Sequence, residues 1–264
     1  MDEHFYGWEG ATMRDENGLT PRDTYDLLRL VWSRDTCAPR MRQDWSEENP
    51  TLGQCSITAF LIQDVFGGKV YGIPLPDGGF HCYNAVGDSV FDLTSEQFGD
   101  AVLCYENNPE QFRETHFAQE EKRLRYQALR RGFLGEYAVL LKHGGCNCCQ
   151  AVLCACAREA GLPSETSKRL GACFGLGMGG MEGTCGALVG AEMLLGLEAS
   201  AGRSLLGGAK KLHQAFDRAC GATLCKDLKG AEAGYVLCPC DDCVRRAVDA
   251  LERVKAGDES PCIS

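Results

Sequence analysis

A cysteine, a histidine and an aspartate occur in the chain order that a thiol nucleophile and its supporting groups require. Cys55, in the stretch GQCSITAF, begins an apolar helical pattern, where unpaired N–H groups and the helix dipole favour a thiolate. A nucleophile also needs a base and a group that orients the base, and His81 and Asp92 follow on a predicted β-hairpin. We expect Cys55 to act as nucleophile, His81 as base and Asp92 as the orienting carboxylate.

The predicted hairpin brings these two polar residues close together. With a turn centred on Gly87-Asp88, paired residues have numbers that sum to 175, so Asp92 lies opposite Tyr83. Asp92 is then a diagonal neighbour of His81 on the same face of the sheet, close enough to orient the imidazole. Asn84 is a weaker substitute for this orienting role.

An acyl-transfer site also needs donors for a developing oxyanion. Gln54 or the backbone N–H of Cys55 is expected to supply them. The structural alternative is a small core cysteine, a hydrogen-bonded strand histidine and a surface carboxylate that stabilises a turn. A lone cysteine would favour that alternative, whereas three roles in the right order favour a catalytic site.

Cysteine is concentrated in the second half, with 13 of the 17 cysteines between Cys146 and Cys262. The number is odd and no secretion signal is recognisable, so reduced thiols, redox pairs or metal ligands are expected. Four of them lie at predicted helix starts, where a thiolate is stabilised: Cys148, Cys185, Cys225 and Cys243. Four thiolates brought together need a metal, an iron–sulfur cluster or reversible disulfides.

Further cysteines surround these four positions in the runs CNCC and CPCDDC, and others stand alone. Those that could bind a second metal or act as resolving thiols are Cys146, Cys149, Cys220, Cys238 and Cys240. Buried small side chains on apolar helix faces are expected for Cys154, Cys156 and Cys173. In the first half, a structural role is expected for Cys82 and Cys104.

Helical and β patterns alternate in the first half. Residues 1–18 are polar and are expected to form a loose arm, and a helix is predicted over residues 22–33. The segment TLGQ predicts a capping box, with Thr51 as N-cap, that begins the helix carrying Cys55. Short strands are predicted at KVYGI, FHCYNAV and SVFDL, and a charged helix over residues 117–142. This half is predicted to be α+β.

The second half has almost no period-2 signal and is predicted to be all-α. Its helices are expected to start near Asn147, Ser164, Thr184, Arg203, Thr223 and Asp242. Gly186 and Gly190 would let another helix approach closely, and the loop GLGMGG would let the backbone approach the Cys185 site. The predicted domains are residues 20–134 and 135–255.

Composition limits the partners of this chain of 264 residues. Its net charge is −10, and residues 1–133 contain 13 Lys and Arg against 22 Asp and Glu, so binding to nucleic acid is not expected. The most apolar stretch, GTCGALVGAEMLLGL, is interrupted by glycines and Glu192, so no membrane association is expected and the protein is predicted to be cytoplasmic.

Three segments of the first half occur in a recognisable order: GQC, the H-x-x-N of FHCYNAV, and DLTSEQF, followed by EKRLRYQALRRGF. On these segments, residues 24–133 resemble the YunG family. The order helix-Cys, strand-His, strand-Asp is also similar to that of papain-like and transglutaminase-like cysteine enzymes. This resemblance implies such a fold and a hydrolase or acyl-transfer role for Cys55, His81 and Asp92.

In the second half, NCCQAVL, CGALVG, TLCKDL and DDCVRRAVDAL follow one another. On these segments, residues 135–255 resemble the C-GCAxxG-C-C family of redox-active proteins. The resemblance implies that its four characteristic cysteines are Cys148, Cys185, Cys225 and Cys243. The related domain of split-Soret cytochromes implies an iron–sulfur cluster as cofactor, with zinc as the alternative.

These patterns predict an α+β papain- or transglutaminase-like domain joined to an all-α cysteine-rich domain. The expected function is redox chemistry at a metal or iron–sulfur centre, with an electron-transfer partner. A Cys-His-Asp hydrolase or acyl-transfer site acting on a small-molecule or protein substrate accompanies it. The alternative is a dithiol redox or metal-storage protein whose first domain is a non-catalytic binding module.

Overall fold

The computed structural model describes residues 4–76, 78–197 and 205–257. The chain divides into two units, Met1–Arg130 and Arg131–Ser264. The first unit mixes helices with one antiparallel sheet and the second is helical, which confirms the coarse fold class that the hydrophobic patterns predict. The division lies four residues before the predicted domain boundary at 134/135.

The described part of the first unit contains α1 (Pro21–Arg29), α2 (Cys55–Phe66), α3 (Arg113–Phe117) and the start of α4 (Glu120–His143). A capping box begins α1, because the Thr20 hydroxyl oxygen accepts a hydrogen bond from the Asp23 N–H. The helix ends four residues before the predicted limit of 33. The charged helix predicted over residues 117–142 corresponds to α4.

The helix that carries Cys55 begins later than the TLGQ pattern predicts. Its first residue is Cys55, and Gln54 stands at the N-cap position without a capping hydrogen bond from its side chain. The Thr51 hydroxyl donates to Asn49 Oδ1 over 3.4 Å, so the predicted capping box is wrong. As a result, Cys55 occupies the first helical position, beside the N–H groups that have no intrahelical partner.

One antiparallel sheet follows in the order β3-β2-β1-β4, formed by β1 (Lys69–Pro74), β2 (Phe80–Val86), β3 (Ser89–Phe91) and β4 (Glu110–Gln111). Asn84 pairs with Phe91, which confirms the predicted hairpin register. Helix α2 packs against β1 and β2 through a face that includes Ile57, Phe60 and Leu61, all buried. The sheet therefore holds the Cys55 helix against the strand that carries His81.

The N-terminal segment is packed rather than loose. Phe5 is buried and its ring contacts the rings of Tyr25 and Phe91. Tyr6 forms an isolated antiparallel bridge with Asp92. The expectation of a loose arm is wrong for the described residues 4–18, because a few aromatic side chains in a polar segment bury enough apolar surface to fix it.

The described helices of the second unit after α4 are α5 (Cys148–Cys156), α6 (Ser164–Gly171), α7 (Gly186–Leu197), α8 (Leu205–Cys220), α9 (Cys225–Lys229) and α10 (Cys240–Ala256). Asn147 caps α5 and α6 starts at Ser164, as predicted. The starts predicted near Thr184, Thr223 and Asp242 are each displaced by two residues. The start predicted near Arg203 lies outside the described residues.

Glycine allows α5 and α7 to pack at close range, as predicted. A Cβ atom at Gly190 would lie 2.9 Å from the Cys149 carbonyl oxygen, and one at Gly186 would lie 2.4 Å from the Phe174 carbonyl oxygen. Both distances are shorter than van der Waals contact, so any side chain would separate the backbones. In the described ranges of the chain, no helix is both long and apolar enough to cross a membrane.

Candidate active site and candidate metal centre

The hairpin of β2 and β3 brings His81 and Asp92 into a buried pair. His81 Nε2 lies 2.5 Å from Asp92 Oδ2, and the two side chains are 0% and 1% exposed. Asp92 directly follows β3, and its backbone N–H donates to the Tyr6 carbonyl. The N-terminal segment therefore helps to position the carboxylate, and the two predicted neighbours are in direct contact.

Further donors converge on the Asp92 carboxylate. Its Oδ1 accepts from the backbone N–H and the hydroxyl of Thr94, each at 3.0 Å. Its Oδ2 also accepts from the Tyr105 hydroxyl at 2.9 Å. Tyr105 has no distinguishing pattern in the sequence, because this residue lies in a segment without helical or β periodicity. Together these donors fix the orientation in which the carboxylate meets His81.

The Cys55 thiol is activated by its surroundings. Burial raises its pKa, but hydrogen bonding to His81, the charge of His81 and the backbone N–H of Cys82 lower it by more. The net pKa is below that of an ordinary thiol. The position of Cys55 at the first residue of α2 favours the anion in the same direction.

His81 is held as an imidazolium. Burial lowers its pKa, but hydrogen bonds to Asp92 and Cys55 and the charges of both raise it to about 10. Nε2 is occupied by Asp92, and Nδ1 has no oxygen or nitrogen partner among the residues described. Nδ1 is therefore the atom that can exchange a proton with the Cys55 thiol.

Two other residues considered for this site have different partners. Gln54 Nε2 donates to the Ser33 carbonyl at 3.0 Å, which occupies one of the two N–H groups of this amide. Asn84 Nδ2 donates to the Ala59 carbonyl at 2.8 Å, which ties β2 to α2 instead of orienting His81. The backbone N–H of Cys55 and the second N–H of Gln54 stay predictions as oxyanion donors.

A cavity of about 720 Å³ lies beside Cys55 and His81. Its walls come from residues 38–41, from β2 and the turn before it, from Gln97-Phe98 and from the start of α4. This volume is within the range of small-molecule binding sites. Cys82, expected to be structural, is buried and also lines the cavity.

A second histidine lines the same cavity. Burial, followed by the charges of Lys122, Arg125 and Arg113, lowers the pKa of His116 to about 3. The imidazole is therefore neutral near pH 7. Its buried Nε2 has no hydrogen-bond partner in the described part of the chain, and the residue is one of those that line the cavity.

In the second unit, two backbone segments lie side by side and bring Cys185 and Cys225 together. The Cys185 N–H donates to the Thr223 carbonyl at 2.8 Å, and the Cys225 N–H donates to the Gly183 carbonyl at 3.0 Å. Gly177, with φ +54°, approaches so closely that its Cβ would lie 2.5 Å from Cys225 Cβ. The predicted close approach of the glycine loop is thus made at Cys225.

Cys185 interacts with each of the other three cysteines predicted as a group. Hydrogen bonding to Cys243, together with burial, raises the pKa of Cys185 well above its ordinary value. Charge interaction with Cys185 contributes to the raised pKa of Cys148, after hydrogen bonding to Cys240 and burial. It also contributes, after burial, to the raised pKa of Cys225. Crowded thiols resist ionisation, and a bound cation would relieve this resistance.

A compact group of three thiols among the described residues includes only one of those four cysteines. The Sγ atoms of Cys220, Cys238 and Cys243 lie within 4.8 Å of one another, and all three residues are buried. Two backbone N–H groups, those of Leu237 and Cys238, donate to the Leu228 carbonyl and fix this segment against α9. The sequence indicates Cys220 and Cys238 only as additional thiols, because their approach to Cys243 depends on how α8 and the segment before α10 pack.

Cys240, and not Cys243, is the first residue of α10. Hydrogen bonding to Cys148 lowers its pKa, burial opposes this, and Lys229 and Lys142 lower it further, to about 5. The helix start predicted near Asp242 is two residues late, which is why the sequence favoured Cys243 for the N-terminal position. The structure therefore adds Cys240 to the thiols near Cys148.

The remaining cysteines differ in exposure. Cys154 and Cys156 are buried, as expected of small side chains on apolar helix faces. Cys173 is exposed, so the expectation of burial is wrong for it. It lies in a short 3₁₀ turn, Ala172–Phe174, after α6 and not on the face of a longer helix. Cys104 is also exposed, which contradicts a structural role in the core.

The chain combines a mixed α and β unit, which contains a Cys, His and Asp group, with a helical unit that is rich in thiols. Residues 20–138 match the family model described as "YunG protein". "Uncharacterized protein YunG" of Bacillus subtilis (strain 168) is 37% identical over 107 residues, which are 40% of this chain and 85% of that protein. The chain belongs to the YunG family.

A second family model matches the other half of the chain. Residues 146–254 match the family described as "Putative redox-active protein (C_GCAxxG_C_C)". The two matches occur in the predicted order, YunG first, and confirm both resemblances. No solved structure matches the chain.

Proposed function

We propose that the second unit binds a redox-active metal centre through cysteine thiolates, with an iron–sulfur cluster as the cofactor and zinc as the alternative. The group formed by Cys220, Cys238 and Cys243 is the observation that supports this proposal most strongly. In a tetrahedral four-thiolate site with metal–sulfur bonds of about 2.3 Å, sulfur atoms lie about 3.8 Å apart. The observed limit of 4.8 Å is close to this spacing of thiolates on a single metal ion, whereas the choice of a redox-active cofactor is supported by the family match.

The surrounding residues fit such a group. Cys185 forms a hydrogen bond with Cys243 and would be a fourth ligand next to the three. All four thiols are buried, so water is kept away from the centre. When bound, an iron–sulfur cluster supplies one-electron transfer, and its potential depends on burial and on hydrogen bonds to its sulfur atoms. The C_GCAxxG_C_C match supports redox chemistry for this unit.

Anaerobic purification of the full chain, followed by iron, zinc and acid-labile sulfide analysis and absorption spectroscopy, tests this proposal. We expect iron and sulfide, with visible bands that bleach on reduction and return on reoxidation. Zinc without sulfide would indicate that the unit binds a structural or storage ion and not a redox cofactor. Metal-free protein whose thiols oxidise reversibly would contradict the metal centre and favour dithiol chemistry.

A second function is favoured by the geometry at Cys55. We infer that the first unit is a cysteine-dependent hydrolase or acyltransferase of papain- or transglutaminase-like type. The lowered pKa of Cys55, the raised pKa of His81 and the contact of His81 with Asp92 support this inference. The cavity beside them offers space for a substrate.

In the proposed reaction, Cys55 and His81 have separate roles. The Cys55 thiolate attacks an acyl carbon, a C–S bond forms, and the carbonyl electrons move to oxygen near the Cys55 N–H. His81 gives its Nδ1 proton to the leaving group as the tetrahedral species collapses to a thioester. Water or another nucleophile, deprotonated by His81, attacks the thioester and expels the Cys55 thiolate, which restores the initial thiolate and imidazolium.

Hydrolysis of p-nitrophenyl acetate by the full chain provides a test. Activity should be lost in Cys55→Ala and kept in Cys104→Ala, which removes an exposed thiol elsewhere in the same unit. The metal content should be the same in both variants. Equal activity of Cys55→Ala and the parent protein would rule out Cys55 as the nucleophile.

A further inference from the structure

The cavity beside Cys55 is lined by several cationic side chains, and three of them, Arg40, His81 and Arg125, already have partners. Arg125 donates to the carbonyls of Thr36 and Gly53 and forms an ion pair with Glu121. His81 is paired with Asp92. These contacts hold the side chains of the cavity wall in place and leave little of their positive charge to bind a ligand.

Lys122 is different. It lies in the first turns of α4, is half-buried and lines the cavity. Within residues 4–76, 78–197 and 205–257, no carboxylate forms an ion pair with its ammonium group. Its charge acts on two other residues of the cavity wall, since it contributes to lowering the pKa of His116 and opposes the raised pKa of Cys82.

The positions of Cys82 and His116 indicate that the charge of Lys122 lies close to the Cys55 thiol. The Cys82 backbone N–H reaches Cys55, and His116, whose buried Nε2 has no partner among the described residues, lines the same cavity. An unpaired ammonium and a neutral imidazole next to a nucleophile can bind an anionic oxygen group by charge and hydrogen bonding.

We propose that the Cys55 cavity selects acyl substrates that carry a carboxylate, and that Lys122 binds this carboxylate. The inference rests on the role of Cys55 as a nucleophile and adds the class of substrate. His116 assists by hydrogen bonding to the same group or to the acyl oxygen. Residues 1–133 have a net negative charge, with 22 Asp and Glu against 13 Lys and Arg. The positive charge of Lys122 in the cavity therefore contrasts with the rest of this half.

Alkylation of Cys55 by iodoacetate and by iodoacetamide tests the selection. In both reactions the thiolate forms a C–S bond and iodide leaves, but only iodoacetate carries a carboxylate. Rates are measured on the full chain by mass spectrometry of the Cys55 peptide. Because both reagents meet the same thiolate, the ratio of the two rates cancels any change in the pKa of Cys55.

The iodoacetate to iodoacetamide ratio is expected to fall roughly 3- to 10-fold in Lys122→Met, the effect of one nearby charge at a partly exposed site. Lys122→Arg should keep the parental ratio. Arg123→Met is the matched control, since Arg123 is the next residue of α4, pairs with Glu120 and does not line the cavity.

An unchanged ratio in Lys122→Met would overturn the carboxylate selection alone, provided that Cys55 still reacts faster than the exposed Cys104. If Cys55 reacts no faster than Cys104 with either reagent, the nucleophile itself is contradicted, and the selection fails with it. A ratio that falls equally in Arg123→Met would show a general effect of net charge and would also overturn the role of Lys122.

Discussion

His81 Nε2 and Asp92 Oδ2 lie 2.5 Å apart inside the first unit, and neither side chain is accessible to solvent. The pair connects β2 with the residue that follows β3, so it joins the two sides of the hairpin that faces α2. Its burial means that neither partner can be rehydrated in place if the other is removed. The contact therefore contributes to the stability of the unit as well as to the candidate chemistry.

Asp92→Ala should lower the free energy of unfolding of the first unit by about 3–5 kcal/mol, the usual cost of removing one member of a buried ion pair. Thr94 and Tyr105 lose their acceptor at the same time. Urea denaturation measures the effect. Asp88→Ala is the control, because Asp88 is exposed in the hairpin turn, and the two variants should differ clearly. Equal stability of both variants would contradict the importance of the pair.

Alkylation of Cys55 should depend on pH in a way that requires His81. The thiolate is the reactive form, so a lowered pKa moves the midpoint of the rate profile to lower pH, below that of a free cysteine at about 8.5. In His81→Ala, burial still raises the pKa of Cys55, and the midpoint should move above that of the parent. The rate at pH 7 should then fall roughly tenfold or more.

The rate of Cys55 alkylation by iodoacetamide is measured on the Cys55 peptide between pH 5 and pH 10. These rates give the midpoint for the parent protein and for His81→Ala. The exposed Cys104 in the same chain serves as the internal reference and should react alike in the parent and the variant. Identical Cys55 midpoints in the two proteins would mean that His81 does not control the thiol.

The close packing of α5 against α7 predicts a difference between two glycines of one helix. Gly190→Ala should destabilise the second unit by about 1–3 kcal/mol, because its Cβ would lie 2.9 Å from the Cys149 carbonyl oxygen. Gly196→Ala, also in α7, meets no atom of the described residues within 4 Å and should be neutral or slightly stabilising. Thermal unfolding of both variants checks this. Equal shifts would contradict the packing argument.

Local patterns in the sequence were sufficient for the hairpin and for most helices. The turn at Gly87-Asp88 fixes the register in which Asn84 pairs with Phe91, and from it the proximity of His81 and Asp92 follows. Asn147 and Gln150 form a capping box that begins α5. Each of these features depends on residues close together in the chain, which pattern and turn rules describe well.

Features that depend on distant segments could not be predicted in the same way. Tyr105 reaches Asp92 from a segment with no periodic pattern, and the aromatic residues of the N-terminal segment pack against the sheet and α1. Cys220 and Cys238 approach Cys243 only because α8 and the chain before α10 converge. Sequence spacing identifies the family cysteines but does not show which additional thiols join them.

Metal content of cysteine variants tests the central claim most directly. Cys238→Ser and Cys173→Ser each remove one of the additional thiols, but only Cys238 belongs to the buried group with Cys220 and Cys243. After anaerobic purification, we predict that Cys238→Ser loses most of the bound metal and that Cys173→Ser keeps the parental amount per chain. Equal metal content in the two variants, or no metal in the parent protein, would contradict a metal centre at these thiols.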